Sequence, residues 1–151
     1  MIEINKSRDV SSPSERVWET ISSLENERKY WPSLKNIKIL SRNGNIIERE
    51  ATIPRGPLGD AKSLQTLVLN PKKSIFLTMT KGPMLGTRKI ILDSLNEDKT
   101  RIDITWEFEL KGIPGFAQGF VKENISQATD EALNRIGEET EKPSAVSPAK
   151  V

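Results

Sequence analysis

The sequence predicts an α+β fold, with a curved antiparallel β-sheet of about seven strands around a long C-terminal helix and two short helices after the first strand. Three observations predict it. Apolar and polar residues alternate with a period of two through most of residues 34–110. The links between these runs are short and carry Gly, Pro, Asn or charged residues, which is typical of an antiparallel meander. From Gly115 to Glu139 the apolar residues follow a helical period, which predicts one long helix.

The N-terminal part of the chain predicts one strand followed by helical turns. Residues Ile2–Val10 alternate weakly and predict the first strand. Ser12 and Glu15 have the spacing of a capping box, with a proline at the first helical position, so a helix is predicted over Pro13–Leu24. A short second helical segment is predicted over Glu25–Trp31, ended by the following proline.

Six further strands are predicted between residue 34 and residue 110. The first begins near Leu34 and ends at Asn43-Gly44, a strong hairpin signal. The others are Ile46–Ile53, Leu64–Leu69, Ser74–Thr80, Thr87–Leu95 and Thr100–Leu110. A sheet with one apolar face needs a cover, and only the C-terminal helix is long enough to provide it. Because a twisted sheet curls, we expect a space to remain between sheet and helix.

The chain is predicted to form one domain over residues 1–140. Residues 141–151 are polar, contain two prolines and lack apolar periodicity, so they are predicted to be a disordered tail. No apolar run approaches the roughly 20 residues of a membrane-spanning helix. The first residues lack the apolar stretch of a signal peptide, so we expect a cytoplasmic protein.

Composition excludes several classes of chemistry. The chain has no Cys and no His, which excludes disulfides, thiolate or imidazole metal ligands, Cys nucleophiles and His-based triads. Catalysis would have to use carboxylates, Lys, Arg, hydroxyls or Tyr30. Lys and Arg total 23 against 21 Asp and Glu, a net charge of +2 that is too balanced for a strongly basic nucleic-acid binder. No phosphate-binding fingerprint and no carboxylate cluster is present, so we expect no cofactor and no metal.

Three stretches resemble a known superfamily in their order and spacing. They are Val10–Ile21, Tyr30–Leu40, and Gly82–Leu95 followed by Thr100–Leu110. Over about residues 2–140 the chain resembles the START/Bet v 1-like (SRPBCC) superfamily with its helix-grip fold. More narrowly it is similar to the branch of polyketide cyclases/dehydratases and coenzyme Q-binding proteins. The resemblance implies a cavity for hydrophobic molecules, but the fold alone does not fix the ligand.

The topology of the meander predicts where such a cavity would open. The links Pro54–Gly59, Lys81–Gly86 and Lys111–Phe116 fall at one end of the sheet and are longer and richer in Gly and Pro than the others. The candidate mouth consists of Arg55, Leu58, Lys81, Met84, Leu85, Lys111 and Ile113. Its cations suit an amphipathic ligand with an anionic end, or an anionic membrane surface. The alternative is that the apolar tips cap the core and the cations are simply solvated.

Candidate lining residues come from the inward faces of the last strands and of the long helix, and from Trp31 at the far wall. They are Trp31, Ile90, Leu92, Ile104, Trp106, Phe108, Phe116, Phe120 and Asn124. The alternative is that they pack together as core, but an amide inside an apolar stripe, Asn124, would need a partner. Candidate polar handles for a ligand are Arg49, Arg88 and Tyr30. For the two arginines, extension of the side chain to solvent is the favoured alternative.

The sequence therefore predicts a protein that binds or carries a hydrophobic or amphipathic small molecule, such as a lipid, an isoprenoid quinone or a polyketide-like aromatic. One alternative is a cyclase/dehydratase-type enzyme that works without His or Cys. The other is a macromolecular binder like the ribosome-association toxins, since residues 54–92 hold seven Lys or Arg against one acid. A ribosome or RNA partner is not favoured, because no aromatic residues are interleaved with these cations.

Overall fold

The computed structural model describes residues 1–55 and 58–142, and in this part of the chain seven strands form one antiparallel sheet. The strands are β1 (Ile2–Val10), β2 (Asn36–Asn43), β3 (Ile46–Pro54), β4 (Asp60–Asn70), β5 (Ser74–Lys81), β6 (Met84–Asn96) and β7 (Lys99–Leu110). The helices are α1 (Ser14–Ser22), α2 (Glu27–Tyr30) and α3 (Gly115–Glu141), with a 3-10 turn at Leu24–Asn26. The spatial order β1-β7-β6-β5-β4-β3-β2 joins neighbours by hairpins and pairs β1 with β7. This confirms the predicted α+β helix-grip fold.

The alternation of apolar and polar residues along β7 determines which of its side chains face the core. Ile102, Ile104 and Phe108 are fully buried on the concave face, whereas Asp103 and Thr105 lie half-buried on the other face. The large apolar side chains of one face leave water together, and this burial is the main driving force for the fold.

The start of α1 differs from the predicted capping box. The helix begins at Ser14 after Pro13, and no side chain caps it. Ser12 is buried instead, and its carbonyl oxygen accepts a hydrogen bond from Thr100 Oγ1 at 2.8 Å. The helix thus starts one residue later than the capping pattern predicts, with Pro13 at the N-cap, and the backbone of Ser12 contacts β7.

A glycine in β6 allows two strands to approach unusually closely. Gly86 has a φ of +152°, and a Cβ at this position would overlap the carbonyl oxygen of Glu107 on β7. Only glycine fits there. Register shifts also interrupt the β2–β3, β4–β5 and β6–β7 pairs. Such irregularities bend strands, and here they accompany the curvature of the sheet around α3.

The two halves of α3 differ in how they pack. In the second half Thr129, Ala132, Leu133 and Ile136 are buried with their neighbours against β1 and α1. Gly137 lets the side chain of Arg8 lie against the helix, since a Cβ would come within 2.7 Å of Arg8 Nε. In the first half no residue is buried. The helix is therefore anchored at its C-terminal half and stands away from the sheet at its N-terminal half.

The C-terminal boundary lies slightly beyond its predicted position. α3 includes Glu141, whose Oε2 accepts a hydrogen bond from the backbone N–H of Ser11 at 2.8 Å. The predicted tail, residues 141–151, lies outside the described residues from position 143 onward. Within the described ranges, no helix has the combination of length and apolar character that a bilayer crossing requires.

Candidate functional site

A cavity of about 450 Å³ lies between the concave face of the sheet and the N-terminal half of α3. One wall is formed by β3 to β7 and the segment after α2, and the other wall by α3. The volume is within the range of small-molecule sites, and the lining is mostly apolar with a few polar groups, as in such sites generally.

Many of the predicted site residues line this cavity. They are Trp31, Trp106, Phe116, Phe120 and Asn124 among the lining candidates, Arg55, Leu58, Met84 and Ile113 among the mouth candidates, and both arginine handles, Arg49 and Arg88. The cavity is also lined by residues that sequence reasoning did not single out, notably Leu77, Met79 and Gln65 on β5 and β4. Their inward orientation follows from the strand alternation that predicted the others.

Four of the predicted lining residues pack as core instead. Ile90, Leu92, Ile104 and Phe108 are buried but do not line the cavity. Alternation along a strand identifies the face on which a side chain lies, but not whether α3 covers it closely or leaves space. Ile90, for example, lies with Ile136 around a small gap beneath the packed half of α3.

Tyr30 also belongs to the core and not to the cavity. It lines a gap of only about 10 Å³ with Ile21, Leu24 and Ile136. Burial, with a smaller contribution from the Glu139 carboxylate, raises the pKa of its phenol. It is therefore not placed to act as a polar handle for a ligand in the larger cavity.

The three Gly- and Pro-rich links meet at one end of the cavity. Arg55 and Leu58, Pro83 and Met84, and Ile113 and Pro114 all contribute to its lining. The backbone N–H of Lys111 donates to the carbonyl of Pro83 at 2.7 Å and so ties two of the links together. We refer to this end as the rim. Gly56 and Pro57, which belong to the first link, lie outside the described residues.

Three of the predicted mouth residues do not line the cavity. Lys81 and Lys111 are exposed, and Leu85 is half-buried. Met84 is buried rather than an exposed tip, because β6 already begins there and its alternation turns Met84 inward and Leu85 outward. The exposed apolar residues at the rim are Phe116, 92% exposed, Phe120, 66% exposed, and Leu58.

Asn124 is exposed, contrary to the expectation of a buried amide. It lines the cavity from the part of α3 that stands away from the sheet. The helical period correctly predicts that Asn124 lies on the face of α3 that is turned toward the cavity. Asn124 is nevertheless exposed, because this part of the helix stands away from the sheet.

A group of buried polar side chains lies beside the cavity, and some of its members form part of the cavity wall. Arg49 is 0% exposed, and Glu27 and Arg88 are 5% and 4% exposed. Arg49 donates to both carboxylate oxygens of Glu27, from Nη1 to Oε1 at 2.5 Å and from Nη2 to Oε2 at 3.1 Å. Its Nε donates to Gln65 Oε1 at 2.8 Å, and Gln65 in turn donates to Ser63 Oγ at 3.2 Å. We call these five residues the Glu27 cluster.

The expectation that both arginines extend to solvent is therefore wrong. Each lies on an inward strand face, and Glu27 of α2 supplies the counterion that makes burial tolerable. Sequence reasoning missed Glu27, which looks like an ordinary charged residue of a short helix. The available signal was the inward position of two arginines, since buried cations require a buried acceptor.

Arg88 is less completely paired than Arg49. Within the described ranges its guanidinium makes one hydrogen bond, from Nη2 to Glu27 Oε2 at 3.4 Å, and its Nε is buried without a partner. The Cζ atom lies 4.9 Å from the ring centroid of Trp31 and 5.7 Å from that of Trp106. Burial lowers the pKa of Arg88, with the Glu27 carboxylate acting in the opposite direction.

Burial would by itself raise the pKa of Glu27, but the hydrogen bonds and positive charge of Arg49, together with Arg88, hold it below its ordinary value. Glu27 is therefore ionised at neutral pH, and the cluster carries two positive charges and one negative charge. Arg49, Gln65 and Arg88 line the cavity, whereas Glu27 does not. The polar part of the cavity wall is thus cationic.

Trp106 links the cavity wall to α3. Its Nε1 donates to Thr129 Oγ1 at 2.9 Å, and its ring packs edge-to-face on Trp31 with centroids 5.8 Å apart. It also packs edge-to-face on Phe108 at 6.1 Å. The hydrogen bond satisfies the buried indole N–H and fixes the ring where the packed half of α3 gives way to the open half.

The sequence of this chain matches the model of a known protein family. The family model described as polyketide cyclase / dehydrase and lipid transport matches residues 1–141. A search of curated protein sequences finds no significant match.

Several solved structures share the fold at low sequence identity. The ZhuI aromatase/cyclase of Streptomyces sp. R1128 superposes with a TM-score of 0.82 at 13% identity, covering 97% of this chain and 98% of its own. A protein of Thermus thermophilus has a TM-score of 0.78 at 17% identity, with 92% and 97% covered. A START superfamily protein of Mycobacterium smegmatis has a TM-score of 0.73 at 16% identity, with 92% and 97% covered.

Proposed function

Because this chain belongs to the polyketide cyclase / dehydrase and lipid transport family, we propose that it binds one hydrophobic or amphipathic small molecule between its sheet and α3. The family lies in the START/Bet v 1-like superfamily, as the sequence resemblance predicted. The observation that carries the proposal is the apolar cavity of about 450 Å³ beneath the open half of α3.

The energetics of such binding come mainly from removing apolar surface from water. Each Å² of apolar ligand surface buried contributes roughly 25 cal/mol, before the cost of immobilising the ligand is subtracted. The rings of Trp31 and Trp106 offer a stiff apolar wall, which loses little conformational entropy when a ligand packs on it. The polar wall provided by the Glu27 cluster would fix the orientation of the ligand.

Entry from the rim agrees with the exposure of Phe116, Phe120 and Leu58. Exposed apolar groups gathered at the opening of a cavity are typical of a binding site. Neither the family match nor the cavity supports a ribosome or a membrane as a partner.

A second candidate function is catalysis of a cyclase or dehydratase type. The observation that favours it is the buried guanidinium of Arg88, since a fixed cation in an apolar cavity stabilises an oxyanion that develops during a reaction. Such a reaction also needs a proton acceptor. Glu27 is held by two arginines, its pKa is lowered, and it does not line the cavity, so binding is the better supported function.

The tryptophans provide a direct test of the proposed site. Trp31 and Trp106 line the cavity, whereas the third tryptophan, Trp18, is half-buried on α1 and does not. Titration with the apolar dye Nile red should quench tryptophan emission with one-to-one stoichiometry. Replacing Trp31 or Trp106 with Phe should reduce the quenching, and the matched Trp18→Phe control should leave it unchanged.

Two results would contradict the proposal. One is a stoichiometry well above one dye per chain, which would indicate nonspecific adsorption to exposed apolar surface. The other is quenching that disappears in Trp18→Phe and persists in the other two variants, which would locate the dye outside the cavity.

A further inference from the structure

The charge of Arg88 is only partly compensated within the Glu27 cluster. Both carboxylate oxygens of Glu27 are already bound by Arg49, at 2.5 and 3.1 Å, and the contact with Arg88 is longer at 3.4 Å. All three guanidinium nitrogens of Arg49 have partners, whereas Nε of Arg88 has none within the described ranges. One of two buried cations is therefore left with unused donors.

The surroundings of Arg88 make this imbalance energetically unfavourable. The side chain is 4% exposed and lies against the rings of Trp31 and Trp106. The quadrupoles of the rings offset part of the charge, but they accept no hydrogen bond in the plane of the guanidinium. Because water reaches the residue poorly, an anion beside it would be attracted more strongly than at the surface.

We propose that the ligand carries a carboxylate that pairs with Arg88, so that the cavity selects monoanionic amphiphiles of the fatty-acid type. This inference rests on the proposed function, the binding of a small molecule in the cavity. A single carboxylate would balance the cluster, giving two positive and two negative charges. Guanidinium and carboxylate form strong, directional pairs, and the unused donors of Arg88 are suited to one. The apolar tail would then extend along the tryptophan wall toward the rim.

The test compares three molecules with one apolar chain: dodecanoate, methyl dodecanoate and dodecanol, each below its micelle-forming concentration. Each is measured by displacement of Nile red from the wild-type protein at neutral pH. A charge-assisted hydrogen bond predicts that dodecanoate displaces the dye at about ten- to a hundredfold lower concentration than the ester. An uncharged cavity gives the opposite order, because burying an unpaired carboxylate is unfavourable.

Two variants assign the effect to one residue. Arg88→Met removes the cation and keeps a side chain of similar length, and it should abolish the preference for dodecanoate while ester and alcohol still bind. The matched control is Arg101→Met, which removes an exposed cation that does not line the cavity and whose Nε donates to Asp9 Oδ1 at 2.8 Å. This control should retain the preference for the carboxylate.

The outcomes separate this inference from the proposed function. Equal displacement by the three molecules in the wild type would overturn the carboxylate pairing and leave cavity binding standing. Failure of the protein to bind Nile red at all would overturn the proposed function itself. A preference for dodecanoate that survives in Arg88→Met would overturn the pairing, because a group other than Arg88 would then recognise the carboxylate. The wild-type comparison decides the main point even if a variant folds poorly.

Discussion

Replacement of Glu27 with glutamine should strongly destabilise the protein, because it leaves two buried cations without a counterion. The substitution is nearly isosteric, so it changes charge and hydrogen bonding rather than packing. Glu27 is 5% exposed and Arg49 is 0% exposed, so water cannot take over the role of the carboxylate.

The magnitude follows from the contacts that are lost. Three charge-assisted hydrogen bonds end on the Glu27 carboxylate, two from Arg49 and one from Arg88. Breaking a buried ion pair by removing one partner costs about 3–5 kcal/mol, most of it the penalty of an uncompensated buried charge. Against a typical total of about 5–15 kcal/mol for a domain, this is a large fraction of the free energy of unfolding.

Urea denaturation followed by tryptophan fluorescence gives the loss directly. The matched control is Asp9→Asn, which also removes a carboxylate from an arginine, since Arg101 donates to Asp9 at 2.8 and 3.4 Å. The side chains of that pair are 44% and 42% exposed, so water replaces the lost contacts and the control should change stability little. Equal losses in the two variants would refute the reasoning, because burial would then make no difference.

The pH dependence provides an independent check of the same pair. Burial would raise the pKa of Glu27, but the hydrogen bonds and charge of Arg49, with Arg88, lower it below its ordinary value. A group with a lowered folded-state pKa contributes stability above its unfolded pKa and loses that contribution as the pH falls through the folded pKa. The stability difference between wild type and Glu27→Gln should therefore shrink on acidification below the ordinary glutamate range. A difference that grows there would contradict the assignment.

Four further outcomes are expected. Gly86→Ala should prevent stable folding, because a Cβ would overlap the neighbouring strand, whereas Gly44→Ala, with open space at its turn, should cost only about 1 kcal/mol in thermal denaturation. Phe116→Asp should slow Nile red uptake in stopped-flow measurements at unchanged stability, since this side chain is exposed at the rim. Arg88→Met should unfold in urea at the same or a higher concentration, since it removes a partly paired buried cation. A chain that ends at Lys142 should keep the melting temperature of the full chain, because the sequence beyond it has no apolar periodicity.

The fold could be predicted from the sequence because its signals are local and repeated. The alternation through Ile102 and Ile104 determines the inward face of β7, and the Asn43-Gly44 turn determines where β2 returns as β3. The period of α3 likewise predicts which of its residues face the sheet. Each of these patterns depends only on residues that are close together in the chain. The burial of one apolar face then stabilises the strand or helix that the pattern predicts.

The cavity was harder to predict because it depends on distances between elements. The inward side chains of Ile90 and Arg88 lie on one strand with the same orientation, yet only Arg88 lines the cavity. The two residues differ because α3 moves away from the sheet between them, and the periodicity of the sequence does not predict where this happens. The pairing of Glu27 with Arg49 joins a short helix to a strand 22 residues further along the chain. The alternation of β3 predicts that Arg49 faces inward and needs an acceptor, but nothing in the local sequence identifies Glu27 as that acceptor.

The Glu27 cluster lies where the packed core meets the cavity, and its composition is best understood from both sides. Toward the core, Arg49 donates two hydrogen bonds to the carboxylate of Glu27, and this pair joins α2 to β3. Toward the cavity, Arg88 leaves donors unused beside two tryptophans. An apolar side chain at position 88 would avoid the desolvation of a cation and leave the Glu27–Arg49 pair intact, so stability alone does not explain the arginine. The proposed anionic ligand would explain it, because the donors that Arg88 leaves unused within the described residues would then pair with the carboxylate of that ligand.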